Sequence, residues 1–159
     1  MTCDPTESEP LMPLTRGLNH VAVLTDDLDR FVEFYTAVFD VGVVFTETTP
    51  AFRHAIVRVG ADSWLHPAEV AGNRHGSARP AMFERGHLDH LALVADSVDA
   101  FHELRDRLVA RGATDGTVED LGAFHSLWFT DPDGMRGELT LIVDPDLAGI
   151  HAPTPLPSR

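Results

Sequence analysis

The chain contains an internal repeat with a spacing of 70 residues, and this repeat constrains its fold more than any other feature. The segments 18–31 (LNHVAVLTDDLDRF) and 88–101 (LDHLALVADSVDAF) are identical at six of fourteen positions, where unrelated segments would share roughly one. The identities include a histidine in the third place of each segment, His20 and His90. Duplication is the simplest explanation, and it predicts two similar modules.

Each module is predicted to fold as β-α-β-β-β. The opening segments 18–25 and 88–95 are rich in aliphatic residues, as strands are, and apolar residues then recur at helical spacing. Asp26 and Asp96 are predicted as the N-caps of the two helices. Further strands are predicted at 41–48, 52–59 and 63–70 in the first module and at 117–121, 123–130 and 137–143 in the second, the last after the turn sequence DPDG.

These elements divide the chain into five parts. Residues 17–70 form the first module and residues 87–143 the second, joined by a linker at 71–86 that is rich in Gly, Arg and Pro. Residues 1–16 are predicted to be a flexible tail. The proline-punctuated segment 144–159 is predicted to be a second tail, lying over the surface.

Composition excludes several classes of function. Acidic side chains outnumber basic ones by 25 to 12, a formal charge of −13, which disfavours nucleic acids and anionic membranes and favours a cationic ligand or metal ion. No stretch approaches the roughly 20 apolar residues of a membrane span. Cys3 cannot form an internal disulfide, and the acidic N-terminus does not resemble a secretory signal. We therefore expect a cytoplasmic location.

Strand alternation places three potential metal ligands on equivalent faces. His20 and His90 oppose the aliphatic residues of their strands, and Glu138 opposes Leu139 and Leu141. A buried carboxylate is costly unless it is paired or coordinated. Neutral imidazoles suit Zn, Fe, Ni or Co, and the expected cofactor is a divalent Fe, Ni, Zn, Co or Mn ion. A single histidine in a strand is more often a partly exposed polar residue. The repeat relation between His20 and His90, with Glu138 on the matching face, favours the metal site.

The paired modules, the segments LNHVAV and LDHLAL, and the sequence FTDPDGMRGEL resemble the vicinal-oxygen-chelate superfamily. That superfamily includes glyoxalases, extradiol dioxygenases, fosfomycin-resistance transferases, methylmalonyl-CoA epimerases and bleomycin-resistance proteins. The resemblance covers residues 18–143. It implies an α+β fold in which two βαβββ modules form a curved mixed sheet around a central cleft that holds a divalent metal ion. It also implies that the two halves of a site come from one chain or from two chains of a homodimer.

By match to the superfamily, His20, His90 and Glu138 take three ligand positions. The fourth position falls within SWLHPAEV, where His66 is favoured as a ligand or as a catalytic residue over the metal. Glu69 is the alternative, because a glutamate at this position serves as a base in glyoxalases.

Three further residues are candidates for the pocket. His54 and His125 are matched to each other by the repeat, and His125 is a candidate catalytic residue that could move protons at neutral pH. Trp128 could line the pocket, although it could equally belong to the core. No chemistry is assigned to the other histidines, His75, His87, His102 and His151.

Two classes of function follow for a small-molecule substrate. The first is a metal-dependent enzyme that chelates neighbouring oxygens of its substrate, with ring-cleaving dioxygenase-like or glyoxalase-like lyase chemistry. The second is a protein that sequesters a cationic small molecule, as bleomycin-resistance proteins do. The acidity of the chain suits the second class, whereas the metal ligands in register favour the first.

Overall fold

The structure is a computed structural model that describes residues 14–15, 17–76, 78–81, 84, 88–147 and 150–157. Cys3, His87 and most of the predicted N-terminal tail lie outside these residues. Within them, no helix has the length and apolar character that a bilayer crossing requires.

The first module has the predicted β-α-β-β-β order. Its four strands form a mixed sheet in the order β1-β4-β3-β2, in which β1 and β4 are parallel and the other neighbours antiparallel. The elements are β1 (His20–Thr25), α1 (Leu28–Phe39), β2 (Gly42–Thr48), β3 (Phe52–Arg58) and β4 (Trp64–Val70).

The second module repeats this arrangement and adds a strand. Its sheet has the order β5-β8-β7-β6-β9, again with a parallel first pair. The last strand lies in the segment predicted to be a surface tail, where it pairs with β6. The elements are β5 (Leu91–Val94), α2 (Val98–Ala110), β6 (Val118–Gly122), β7 (Phe124–Thr130), β8 (Arg136–Ile142) and β9 (Ile150–Pro155).

Both helices begin one residue later than the sequence predicted. Asp27 caps α1 by accepting a hydrogen bond from the backbone N–H of Arg30, and Ser97 caps α2 in the same way. The predicted caps, Asp26 and Asp96, are therefore wrong. A cap residue accepts a hydrogen bond from the backbone N–H three residues ahead. In each module two residues able to do this are adjacent, Asp26 with Asp27 and Asp96 with Ser97, so the sequence alone does not choose between them.

The two modules share one core between the helices and the sheets. Phe129 of β7 lies against Phe34 and Phe39 of α1, with ring centroids 6.4 and 5.7 Å away. Gly137 on β8 is required here, because a Cβ would lie 2.1 Å from the Phe129 ring. Apolar burial between modules therefore fixes how they sit within one chain.

The DPDG turn adds polar contacts to this interface. Asp131 is only 2% exposed and accepts a hydrogen bond from Tyr35 of α1 at 3.1 Å. Asp133 accepts one from Thr25 at 2.7 Å and pairs with Arg30. The turn thus docks the second module onto the start and middle of the first helix.

Candidate metal centre

The first module presents His20 and His66 on the face of its sheet that lies away from α1. The register aligns Ala22 with His66, so His20 and His66 are diagonal neighbours, and their ring centroids are 5.6 Å apart. His20 Nδ1 lies 2.8 Å from the side-chain oxygen of Asn19. Because that oxygen only accepts, Nδ1 carries the proton, and the lone pair on Nε2 is free for a metal.

His66, His54 and Glu47 form a chain of hydrogen bonds. His66 Nε2 lies 2.8 Å from His54 Nδ1, and His54 Nε2 lies 2.9 Å from the carboxylate of Glu47. Burial, followed by the neighbouring imidazoles of His54 and His20, lowers the pKa of His66 below its ordinary value. His66 is therefore neutral at neutral pH, the form that binds a metal or accepts a proton.

The second module presents His90 and Glu138 in the same relation. The register aligns Ala92 with Glu138, as Ala22 aligns with His66. His90 Nδ1 donates to the carboxylate of Asp89 at 2.9 Å, so its Nε2 is again the free nitrogen. Asn19 and Asp89 stand 70 residues apart, and both orient the histidine that follows them.

Glu138 is the buried carboxylate of this pair, with 6% of its surface exposed. Ser126 donates a hydrogen bond to Oε1 at 2.5 Å, and Oε2 lies 3.7 Å from His90 Nε2. The Trp128 ring packs edge-on against the His90 ring, with the two centroids 4.8 Å apart. Two ligands of one small divalent ion are roughly 3–3.5 Å apart, as bond lengths near 2.1 Å require. The atom types fit a metal, and the 3.7 Å separation is a few tenths of an ångström wider than two ligands of one ion would have.

Strand register decides between His66 and Glu69 and corrects the match of His54 to His125. Glu69 lies on the helix side of β4, where it accepts from the backbone N–H of Leu28 at 2.8 Å and pairs with Arg53. It thus faces away from His20, and Pro67 does not break the strand. The match between His54 and His125 is wrong by one residue. His54 pairs with Ala68 and Ser126 with Thr140, so His54 corresponds to Ser126.

His125 consequently points to the other side of its sheet from Glu138. It lines a separate cavity together with Phe101 and Leu141, so the structure does not support a catalytic role for it at the metal centre. Trp128, by contrast, lies beside His90. Sequence reasoning missed Asn19, Asp89, Ser126 and Glu47, although the shared place of Asn19 and Asp89 before each histidine was a readable signal.

One chain does not gather the complete set of ligands. Among the described residues, no three His, Cys, Asp or Glu side chains lie close enough together to hold a metal ion. The four predicted ligands form two pairs instead, His20 with His66 and His90 with Glu138. Each pair is half of the set that the sequence analysis expected to converge.

Both ligand-bearing faces also expose apolar side chains. Leu24 follows His20 on its face and is 43% exposed, and Phe45 and Phe52 flank His54. In the second module Val94 and Ile142 are 66% and 51% exposed. Apolar surface around polar ligands is typical of a face that binds a partner or a substrate.

Comparisons with known proteins agree with this architecture. The family model of the Glyoxalase/Bleomycin resistance protein/Dioxygenase superfamily matches residues 17–139. The chain belongs to this superfamily. No curated protein sequence is significantly similar to it.

Solved structures with the same fold have low sequence identity. A glyoxylase/bleomycin resistance protein/dioxygenase domain from Frankia sp. EAN1pec is 23% identical at TM-score 0.70, over 81% of this chain and 99% of that one. The fosfomycin resistance protein FosX of Listeria monocytogenes, determined with Mn(II) and sulfate, is 18% identical at 0.58, over 82% and 95%. Glyoxalase I of Leishmania major is 21% identical at 0.56, over 79% and 86%. These likenesses establish the fold.

Proposed function

We propose that this protein is a metal-dependent enzyme whose metal site is completed by a second copy of the chain. His20 and His66 of one copy would face His90 and Glu138 of the other. One observation carries the proposal. Each module holds a histidine whose Nδ1 donates to the preceding residue, with a second donor diagonal to it in the same register.

The exposed apolar faces support assembly from two copies. The shared core and the docked DPDG turn hold the modules together by their helix side, which leaves both ligand-bearing faces open. Leu24, Val94 and Ile142 surround the ligand pairs, so a second copy would bury apolar surface and bring the two pairs together. A symmetric dimer would then contain two equivalent sites.

A bound divalent ion, such as Fe, Ni, Zn, Co or Mn, would act as a Lewis acid that holds two neighbouring oxygens of a small substrate. Asn19 and Asp89 keep the histidine rings oriented, and Ser126 holds Glu138. His54 with Glu47 would orient the His66 ring through its Nε2, and neutral His66 would offer its other ring nitrogen, Nδ1, to a metal ion or a proton. Glu69, the carboxylate base of the glyoxalase alternative, faces away from this side of the sheet, so lyase chemistry would depend on proton transfer by His66.

Metal analysis of untagged protein tests the proposal. We expect about one divalent ion per chain in a dimer, and its loss in His90→Ala and Glu138→Ala. Glu69→Gln is the matched control, because this carboxylate lies on the opposite face of the neighbouring sheet. A metal-free wild-type protein that does not take up added Fe(II), Ni(II) or Zn(II) would overturn the proposal.

Activity screens distinguish the chemistries. Thiol adducts of ketoaldehydes report lyase activity and catechols report ring cleavage, each with the metal that gives full occupancy. Loss of lyase activity in His66→Gln with metal retained would support His66 as the proton acceptor. Binding of a basic glycopeptide by metal-free protein would favour the sequestering alternative.

A further inference from the structure

A cavity of about 540 Å³ lies on the helix side of the second module. It is lined by α2, residues 116–118, β7, β8 and residues 156–157 after β9, so it is separate from the face that carries Glu138. Its volume is within the range of roughly 300–1,000 Å³ that small-molecule sites occupy. The metal centre does not account for it.

The walls of this cavity are apolar. Phe101 of α2 and Leu141 of β8 form its buried part, and both are less than a tenth exposed. Val98 and Val143 lie at its rim, where they are 52% and 44% exposed. An apolar ligand would cover this rim and displace water from the walls.

The titratable residues that line the cavity are all basic: His102, Arg105 and His125. In a chain with 25 acidic and 12 basic residues, such a lining runs against the overall composition. The nearest acid that pairs with Arg105 is Asp106, at 3.3 Å on an exposed part of α2. The site is therefore complementary to an anion.

The guanidinium of Arg105 is held in place. Its Nε donates to the carbonyl of Gly116 at 2.8 Å. Gly116 has a φ of +82°, and a Cβ there would lie 3.1 Å from Arg105 Nη2. A glycine is thus needed both for this backbone conformation and for the approach of Arg105. A fixed guanidinium is well suited to bind a carboxylate.

We propose that this cavity binds a small apolar carboxylate. The apolar part lies against Phe101 and Leu141, and the carboxylate lies beside Arg105 and His125. This assignment gives a role to His125, which lies on the opposite face of its sheet from Glu138. The site is independent of metal binding, so the two proposals stand or fall separately.

Titration of metal-free, ¹⁵N-labelled protein with octanoate in the presence of a chelator tests the proposal. We expect chemical-shift changes in residues 98–105, 116–118 and 141–143. Octanol lacks the charge and butanoate most of the apolar surface, and each should bind at least about tenfold more weakly. Equal affinity for octanol and octanoate, or shifts confined to other residues, would overturn it.

Two variants locate the site. Arg105→Gln should weaken octanoate binding about tenfold or more, because a charge-assisted hydrogen bond is lost. Arg58→Gln is the matched control, since Arg58 Nε likewise donates to a glycine carbonyl, that of Gly60, in the first module. Val98→Trp fills the rim from an exposed helix position and should also abolish binding. Unchanged affinity in both Arg105→Gln and Val98→Trp contradicts the proposal.

Discussion

The two modules place different chemistry in the same register. His66 in the first and Glu138 in the second occupy equivalent positions. The second module supplies a buried carboxylate held by Ser126, which attracts a cation by charge. The first supplies a neutral imidazole held by His54 and Glu47, which can bind a metal or a proton. The two positions are equivalent in register, and the residue types at them differ.

The turns before β4 and β8 also differ between the modules, in how far they are buried. Residues 59–63 of the first module form an exposed turn, whereas residues 131–135 of the second bury two carboxylates against α1. The two turns have equal length, but the first is exposed to solvent and the second packs against the other module. The asymmetry explains how two similar modules keep one defined arrangement within the chain.

The largest contrast should appear in metal affinity. We expect Glu138→Gln to weaken metal binding by more than about a hundredfold, because even changes in residues that only orient a ligand cost 10–100-fold. His66→Gln should weaken binding less, by about a hundredfold, since it removes a ligand that is neutral rather than charged. Competition with a chelator measures both affinities. A larger loss in His66→Gln would reverse the proposed division of tasks.

The docking turn should make stability depend on pH. Burial is the main cause that raises the pKa of Asp131 to about 6, from an ordinary value of 3.8. Because the pKa of Asp131 is higher in the folded than in the unfolded protein, its protonation stabilises the fold. This stabilisation is complete below about pH 4 and is lost as pH rises through about 6. The loss amounts to at most about 3 kcal/mol in the free energy of unfolding.

Denaturant unfolding of Asp131→Asn between pH 4 and 7 checks this effect. The variant should show a smaller decline than the wild type, because only the Asp133 carboxyl, whose pKa burial also raises, is left to titrate in the turn. Asp62→Asn in the corresponding turn of the first module should keep the full decline. Parallel pH profiles for wild type and Asp131→Asn would show that Asp131 is not a buried carboxyl group that titrates in this range.

Core packing offers a third contrast between the modules. Gly137 lies beside Phe129, where the equivalent pair in the first module is Leu65 and Val57. In the second module the large side chain of this pair is on β7 and its neighbour on β8 has none, whereas in the first module both strands carry an aliphatic side chain. Gly137→Ala should reduce the free energy of unfolding by about 1–3 kcal/mol through overpacking, and Phe129→Leu should recover part of it. Gly42→Ala, at an open position, is the control; an equal loss there would argue against overpacking.

The smallest contrast concerns the residues that orient the histidines. Asp89→Ala should lower metal affinity by about ten- to a hundredfold. Asn19→Ala should have a weaker effect, because an amide raises the basicity of an imidazole less than a carboxylate does. Calorimetric titration with Zn(II) compares the two. Unchanged affinity in both variants would mean that these hydrogen bonds do not prepare the metal ligands.

The fold followed from the sequence because the repeat and the period of the strands agree. Alternation correctly placed Val21 and Val23 toward the core and His20 away from it. Errors arose where an alignment wrong by one residue assigns a side chain to the opposite face of its sheet. Matching His54 to His125 instead of Ser126 placed His125 at the metal centre, and adjacent polar residues left the helix caps uncertain by one position.

The strand faces of the candidate ligands were predictable from the sequence, whereas the arrangement of the two modules was not. Repeat position identified His20 and His90, and Glu138 followed from its strand. Nothing in local pattern reports that the modules pack by their helices, because this depends on long-range contacts such as Phe34 with Phe129. Strand β9 was missed because its prolines obscured the strand pattern, although Pro155 lies at the end of an edge strand, where proline is tolerated.

Mixing two defective variants tests the shared site most directly. His20→Ala and Glu138→Ala should each form dimers that lack a tight metal site. After joint refolding, a mixed dimer contains one site with both defects and one with none, so roughly a quarter of the wild-type metal capacity should return. Dimers that contain both variants yet recover no metal binding would contradict a site assembled from two chains.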